Sequence, residues 1–518
     1  MDSSGDLGND GVSSEDRYRI FWSDHASYFL DNLPEKRRQR IEHKVRRNLS
    51  SGPEACPLMP QTHPRYKDAR HLLVLGPPDF QVIFRADRNA RKVFVVLIYY
   101  ARGRAPLSAP DDSRGMVAQK SKVTAHVTNK SNNRATLIIF AGRKVSSQIE
   151  RTLALAERAI ARDTIERAMS TGYVERVVVA TDSADFAESL SSLPVTVEVD
   201  EGEFHFGNRL REIIRRYDVA RPFYVGAGSA PLLSAERIAS ICETLVASES
   251  VVLANNFYSS DFVAFTPGAA LDRIDPPDVD NNLAFLLNHR AGLLNVPVPR
   301  EAGTQMDIDT PTDLVILALH PGVGPHTRAL LGDGAFVSES ESCLKTLNRL
   351  LQVIVDPARE VLIAGRVGAQ AWSLVESGFA CRTRVVSEER GMRASGRDAR
   401  GEVRSILGHC LQAVGIKRFF GVLGEMTDGA IVDSRVLFEH FGLKPAPSDR
   451  FYSDLLAPEK ISDPLVRDLT EAAASASIPV ILGGHSLVAG DLWALVEVAS
   501  RLGGDGAGNR WNAHPKGL

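Results

Sequence analysis

Runs of four or five consecutive apolar residues recur along most of the chain, separated by stretches with a period near 3.6. Thr136-Leu137-Ile138-Ile139-Phe140, Val177-Val178-Val179-Ala180 and Val361-Leu362-Ile363-Ala364 show no polar alternation. A strand with one wet face alternates, so an unbroken run predicts a strand covered on both sides. Between 135 and 331 the pattern predicts strands 136–140, 176–180, 195–199, 222–226, 251–254 and 261–265, with helices 148–170, 183–190, 208–217 and 235–247 among them. That alternation means a mostly parallel sheet with helices on both faces, and ligands outside the carboxyl ends of its strands. A second α/β module follows: helix 343–353 and strands 361–364, 383–387, 429–432 and 478–483. No internal repeat relates the two.

The first hundred residues read differently. Strand 18–22, helices 24–33 and 35–49, and a meander of strands 72–75, 80–84 and 93–100 describe a small α+β unit. Pro34 suits the start of the second helix, and Ser51-Gly52-Pro53 ends it. The predicted layout is a disordered leader 1–16, a basic α+β domain 17–104, a linker 105–134 without hydrophobic period, α/β domains 135–331 and 340–503, and a flexible tail 504–518. Met116 lies in the linker, and a product starting there would hold both α/β domains.

At 518 residues the chain is too long for one core. Its hydrophobic (44%) and charged (24%) contents are ordinary for a globular protein. No apolar run approaches the ~20 residues that span a bilayer, and the acidic, Gly/Ser-rich start has no signal-peptide character. A cytoplasmic location is the expectation. Cys56, Cys242, Cys343, Cys381 and Cys410 are scattered without CxxC spacing, which argues for reduced thiols and against a disulfide framework or zinc site. The net charge of −3 hides an asymmetry: 17–104 carries 18 Lys and Arg against 8 Asp and Glu. Only that part suits polyanions such as RNA.

Candidate chemistry concentrates in two segments of the middle domain. Tyr224-Val225-Gly226-Ala227-Gly228-Ser229-Ala230-Pro231-Leu232-Leu233 and Met306-Asp307-Ile308-Asp309-Thr310-Pro311-Thr312-Asp313-Leu314 each read as a buried strand that turns into a helix. Alternation puts Asp307 and Asp309 on one face of a strand. The alternative for the second segment is an N-cap with its first turn. Gly142-Arg143-Lys144 forms the turn after the first strand, and Asn208 opens a later helix.

Together these segments resemble the MobA-like NTP transferases, a GT-A-like nucleotidyltransferase family, over about 190 residues. The resemblance implies transfer of an NMP group from an NTP of unknown base to a small phosphorylated or cofactor-type acceptor, with release of pyrophosphate. It implies that Arg143 and Lys144 hold phosphates, that Asp307 and Asp309 hold Mg2+, and that Gly142, Gly226, Gly228, Ser229 and Asn208 line the nucleotide. Ser229 stands where the family carries aspartate, and a neutral hydroxyl is a poor magnesium ligand. A catalytically inactive nucleotide-binding scaffold is the alternative in the same domain.

The "LPEKRRQRIEHKVRRNL" helix, the "HLLVLGPPDFQVIF" hairpin and "KVFVVLIYYARGR" resemble the RelE/ParE toxin superfamily. That resemblance implies RNA or ribosome contact through Lys67, Arg70, Arg85, Tyr99, Arg102 and Arg104, and a toxin acting on translation is the third reading. In the last module, Gly483-Gly484-His485-Ser486 follows a strand, but Val488 sits where a nucleophile elbow needs glycine. An anion-binding turn remains open there. The charged loop 387–397 offers Glu388, Arg390 and Arg393 as grips for an anion, or as a solvated connection.

Overall fold

A computed structural model of the chain describes residues 18–22, 26, 30, 35–58, 69–74, 79–101, 134–143, 145–200 and 202–502. The leader 1–16, Met116, Lys144, the tail 504–518, and the linker apart from Arg134 lie outside the described residues. Two compact units result, Met1–Thr124 and Ala125–Leu518.

The first unit holds β1 (Arg19–Trp22), a helix Glu35–Leu49, β2 (Arg70–Val74), β3 (Asp79–Asp87) and β4 (Lys92–Ala101). Its sheet runs β1-β4-β3-β2, with β1 parallel to β4 and the meander antiparallel. Ile41, Val45 and Leu49 recur every fourth residue, so they share one helix face and are fully buried among Phe80, Val82 and Phe84. The same spacing turns Arg37, Arg46 and Arg47 to solvent. The predicted helix 24–33 falls largely outside the described residues.

The second unit contains two sheets. The larger is built from β5 (Ala135–Ala141), β6 (Val174–Thr181), β7 (Thr196–Val199), β8 (Pro222–Gly226), β9 (Val251–Ala254), β10 (Phe262–Thr266) and β11 (Leu294–Asn295). Its order is β11-β9-β10-β8-β5-β6-β7, and β10 runs antiparallel to β8 and β9. The smaller, β13 (Arg382–Ser387), β12 (Glu360–Gly365), β14 (Gly429–Asp433) and β15 (Val480–Gly483), is parallel throughout.

The unbroken apolar runs are explained by what lies on each side. Leu137 and Ile139 enter one core and Ile138 another. Val361 and Ile363 likewise face away from Leu362 and Ala364. Period-2 alternation here separates two buried faces, not a buried face from water.

One core cluster crosses the predicted boundary near 335. It joins Ile149, Leu153 and Ile160 of the helix Gln148–Ser170 to Leu314 and Leu317 of the helix Pro311–Leu319. It continues into Leu350, Ile363, Ile481 and Leu495 of the last module. The two sheets therefore share packing, although the sequence reads as two separate α/β modules. All five cysteines are free thiols and all but Cys410 are buried. No single described helix is long and apolar enough to cross a membrane.

Candidate functional site

The turn after β8 and the segment before the helix Pro311–Leu319 meet at the carboxyl ends of β5 and β8. An isolated antiparallel bridge pairs Ser229 with Asp307. Ala230 N donates to Met306 O at 3.1 Å, and Ile308 N to Gly228 O at 3.3 Å. The turn closes through Ala230 at φ +50°, a left-handed conformation costly for a residue with a side chain. Close approach explains two of its glycines. A Cβ at Gly226 would lie 2.7 Å from Ser229 Oγ, and one at Gly228 would lie 3.0 Å from Glu157 Cγ.

The helix beyond is started by a reciprocal cap. Asp313 accepts from Asp309 N (2.8 Å), Thr310 N (2.7 Å) and Thr310 Oγ1 (2.9 Å), and Pro311 opens the first turn. The cap reading of this segment is thus realised by Thr310 and Asp313. It leaves the Asp307 and Asp309 carboxylates for other work. Asp309 is exposed and Asp307 half-buried, so both border open space at the end of the sheet.

A third carboxylate joins them from a different strand. Asp261 stands immediately before β10 opposite Gly226, whose N–H donates to Asp261 O at 3.3 Å. Asn255 aims Asp261: its Nδ2 donates to Asp261 Oδ2 at 2.6 Å, and its Oδ1 accepts from Asp261 N at 3.0 Å. Enclosure by protein pushes the Asp261 carboxyl up to about 7, and the Asp309 and Asp280 charges add to the rise. Asp307 is raised well above the carboxylate range by desolvation and then by Asp261 and Asp309, while the Ser229 hydroxyl favours its ionised form. Asp280 accepts from Tyr224 Oη at 2.9 Å behind this group and is itself raised by desolvation.

Arg143 lies against the cluster. Its Nε donates to Glu157 Oε1 at 2.7 Å and its Nη2 pairs with the same oxygen. Burial weakens the Arg143 charge, whereas Glu157, Asp309 and Asp307 support it, and the balance raises its pKa. This pair meets the predicted phosphate grip with a carboxylate already in place, because Glu157 projects from the helix Gln148–Ser170 toward the same turn. No described residue accepts from Arg143 Nη1, so that edge faces outward.

The other predicted residues sit as follows. Gly142 borders the Asp182 side chain, which a Cβ would meet at 3.4 Å. Asn208 is exposed at the start of the helix Phe206–Arg216, where its N–H donates to His205 Nδ1 at 3.3 Å. No described contact joins it to the carboxylates. The opening of the helix Gln148–Ser170 is occupied by Glu150, which accepts from Ser146 N, Ser146 Oγ and Ser147 Oγ. In the first unit Arg70 donates to Cys56 O at 2.5 Å, and Arg85 is exposed. Lys67, Arg102, Arg104 and the Tyr99 side chain lie outside the described residues.

The last module contributes directly. Ser486 Oγ donates to Asp309 Oδ2 at 2.9 Å. The protein around the neighbouring His485 ring lowers its pKa, and the charges of Arg366, Asp433, Asp309 and Arg390 also act on it. Sequence reasoning missed Asp261, Glu157 and this contact. A charged residue heading the otherwise apolar 261–265 run was the available signal for Asp261. Among the described residues no group of three or more His, Cys, Asp and Glu side chains is arranged to hold an ion by itself.

No family model and no curated protein matches the chain. Solved structures similar to it include a CMP:2-keto-3-deoxy-manno-octonic acid synthetase complexed with CTP. It shows 13% identity, with 35% of this chain and 95% of that chain covered and a TM-score of 0.26. A cytidylyltransferase from Leptospira borgpetersenii shows 14% identity, 41% and 96% coverage and a TM-score of 0.30. A 4-diphosphocytidyl-2C-methyl-D-erythritol synthase shows 14% identity, 36% and 97% coverage and a TM-score of 0.26.

Proposed function

We propose that the unit Ala125–Leu518 is a nucleotidyltransferase that transfers an NMP group from an NTP to a small acceptor and releases pyrophosphate. The observation that carries this reading is the convergence of Asp261 with Asp307 and Asp309, from two segments far apart in the sequence, beside Arg143. Unbalanced carboxylates that resist ionisation are what a divalent cation would relieve. Magnesium binds one or two carboxylates and takes its remaining ligands from water and substrate phosphates, so a site short of three arranged ligands still fits it. Asp307 and Asp309 would hold the ion. Asp261 would supply the charge that Ser229 lacks at the neighbouring position. When bound, the ion neutralises charge on the transferring phosphoryl group.

The protein's own groups do the rest. Arg143 Nη1 would meet phosphate oxygens while Glu157 fixes the guanidinium plane. Gly226 and Gly228 let Ser229 and Glu157 pack against the turn, which holds both side chains at the site. The acceptor oxygen would attack the α-phosphorus, the bond to the bridging oxygen would break, and pyrophosphate would leave.

The test is calorimetry on the whole chain with CTP, GTP, ATP and UTP, each with and without magnesium. Pyrophosphate release would then be followed with candidate phosphorylated acceptors. Magnesium-dependent binding of one nucleotide, lost in both Asp261→Asn and Asp307→Asn, is the expected result. Binding by none of the four, or binding indifferent to both substitutions, counts against the reading.

A further inference from the structure

Three aromatic rings pack together beside the carboxylate corner, and a fourth rests on them in solvent. Phe140, the last residue but one of β5, packs edge-to-face on Phe206 (centroids 5.7 Å apart) and on Tyr224 of β8 (5.2 Å), and Phe206 packs on Tyr224 (5.0 Å). Phe206 and Tyr224 are buried. Phe204 stands against the same Phe140 ring at 5.5 Å and 90°, yet it is 58% exposed. A ring left largely in water forgoes most of the stabilisation that its burial would give.

The segment that presents Phe204 is anchored on both sides. Asp200 N donates to Thr181 O at 2.8 Å before it, and Gly207 N donates to Pro277 O at 2.9 Å after it. A Cβ at Gly207 would lie 2.6 Å from the Pro277 nitrogen, so that approach needs glycine. Arg209, in the first turn of the helix Phe206–Arg216, is paired with Glu198 and Asp200. An anchored segment holds its exposed ring in place before any ligand arrives, which lowers the entropy cost of binding.

The rings lead directly to the carboxylates. Phe140 is in register with Gly226, and its carbonyl accepts from Ala227 N at 3.0 Å. A Cβ at Gly226 would stand 3.7 Å from Tyr224 Oη and 2.7 Å from Ser229 Oγ, so the phenol and the serine paired with Asp307 flank one spot. Arg143 follows Phe140 by three residues. The guanidinium, the carboxylates and the exposed ring therefore gather at the end of β5, with Phe140 between Phe204 and Tyr224.

We propose that Phe204 is the stacking platform for the base of the nucleotide, and that through this ring the site prefers a nucleoside triphosphate to a polyphosphate without a base. The inference rests on the nucleotidyltransferase reading above. A base is joined to its α-phosphate through a ribose, so a platform one ring removed from the carboxylate corner suits the base and not the phosphates. Every base offers a flat π face, and stacking on an aromatic side chain adds affinity without reading hydrogen bonds. A partner protein fits less well, because Phe206 and Tyr224 beside this ring are buried and the exposed apolar surface is a single side chain.

The experiment is calorimetric titration of the whole chain, with magnesium, using CTP, GTP, ATP, UTP and inorganic tripolyphosphate, on wild type, Phe204→Ala and Phe204→Trp. We expect Phe204→Ala to weaken the best-bound nucleotide by about tenfold or more and to leave tripolyphosphate binding unchanged. Phe204→Trp should keep nucleotide affinity and gain a fluorescence change on adding nucleotide that wild type lacks and tripolyphosphate does not produce. The inference alone is overturned if wild type binds a nucleotide and Phe204→Ala binds it equally well. It is also overturned if Phe204→Ala weakens nucleotide and tripolyphosphate by the same factor, or if wild type binds tripolyphosphate as tightly as the nucleotide. Wild type that binds none of the four nucleotides overturns this inference and the nucleotidyltransferase reading together.

Discussion

Ser486 donates its hydroxyl to Asp309 Oδ2 at 2.9 Å across 177 residues of sequence, so the last module sets the orientation of a carboxylate in the middle domain. The contact is one of several at this joint. Thr312 Oγ1 donates to Leu482 O at 2.8 Å and to Asp454 O at 3.1 Å, and a Cβ at Gly484 would lie 3.0 Å from Thr310 Cγ2. The segment Gly483–Ser486, which has the outline of a nucleophile elbow, works as a clamp. We expect Ser486→Ala to cost about 1 kcal/mol of stability and to weaken magnesium-dependent nucleotide binding several-fold by freeing Asp309. Thermal unfolding and nucleotide calorimetry on the same sample check both, and an unchanged nucleotide affinity would show the contact to be structural only.

Much of this was legible in the sequence, for a physical reason. Doubly buried strands need unbroken apolar runs, so Leu137–Phe140 and Val361–Ala364 could be placed without any contact information. The Asp307/Asp309 alternation and the glycines at 226 and 228 marked two turns, and the bridge between Ser229 and Asp307 shows that they meet. What escaped was non-local. Asp261 looks like a strand start until Asn255 is seen to aim it, and Glu157 looks like one charge on an amphipathic helix until Arg143 folds onto it. The shared core between the modules was equally hidden, since no pattern in one segment reports which helix from another covers it.

Ser229→Asp tests the electrostatics of the corner directly. The new carboxylate would face Asp307, where a hydroxyl now favours the ionised form. Without a divalent cation, two facing carboxylates repel, and we expect a loss of roughly 1–3 kcal/mol at pH 8. Magnesium should recover most of it, because a ligand that binds only the folded state stabilises it by mass action. Melting curves with and without magnesium chloride measure this. A variant that melts like wild type under both conditions would falsify the placement of residue 229 against Asp307.

Gly490→Ala probes how tightly the two halves of the second unit fit. A Cβ at Gly490 would lie 2.1 Å from Gln305 O and 3.0 Å from Met306 Cα, both backbone atoms. Neither can be relieved by a rotamer change, so the helix Gly490–Leu502 must shift off the segment that leads to Asp307. We expect a loss on the order of 3 kcal/mol or more, seen as a lower denaturation midpoint or as insoluble expression. Gly334→Ala, where a Cβ meets nothing within 4 Å, serves as the control and should be near neutral.

The pH dependence of stability should report on Asp491. Its carboxylate is fully buried at the start of the helix Gly490–Leu502, where no backbone N–H and no neutral or basic side chain donates to it and its hydrogen-bonding neighbour is the equally buried carboxyl of Asp313. Desolvation pushes Asp491 up to about 7, with the Asp309 and Asp307 charges contributing. An acid whose folded pKa lies above its unfolded value, about 4, keeps its proton longer in the fold. The folded state then binds more protons between about pH 4 and pH 7, so stability falls as pH rises through that window and stays low above it. Asp491→Asn removes this loss and supplies an amide that can donate to Asp313. We therefore expect the variant to match wild type more closely at pH 5 and to exceed it at pH 8 by roughly 1–3 kcal/mol, a shift of a few degrees in a unit of this length. A stability difference that stays constant from pH 5 to pH 8 would mean that Asp491 does not ionise within that range in the folded chain.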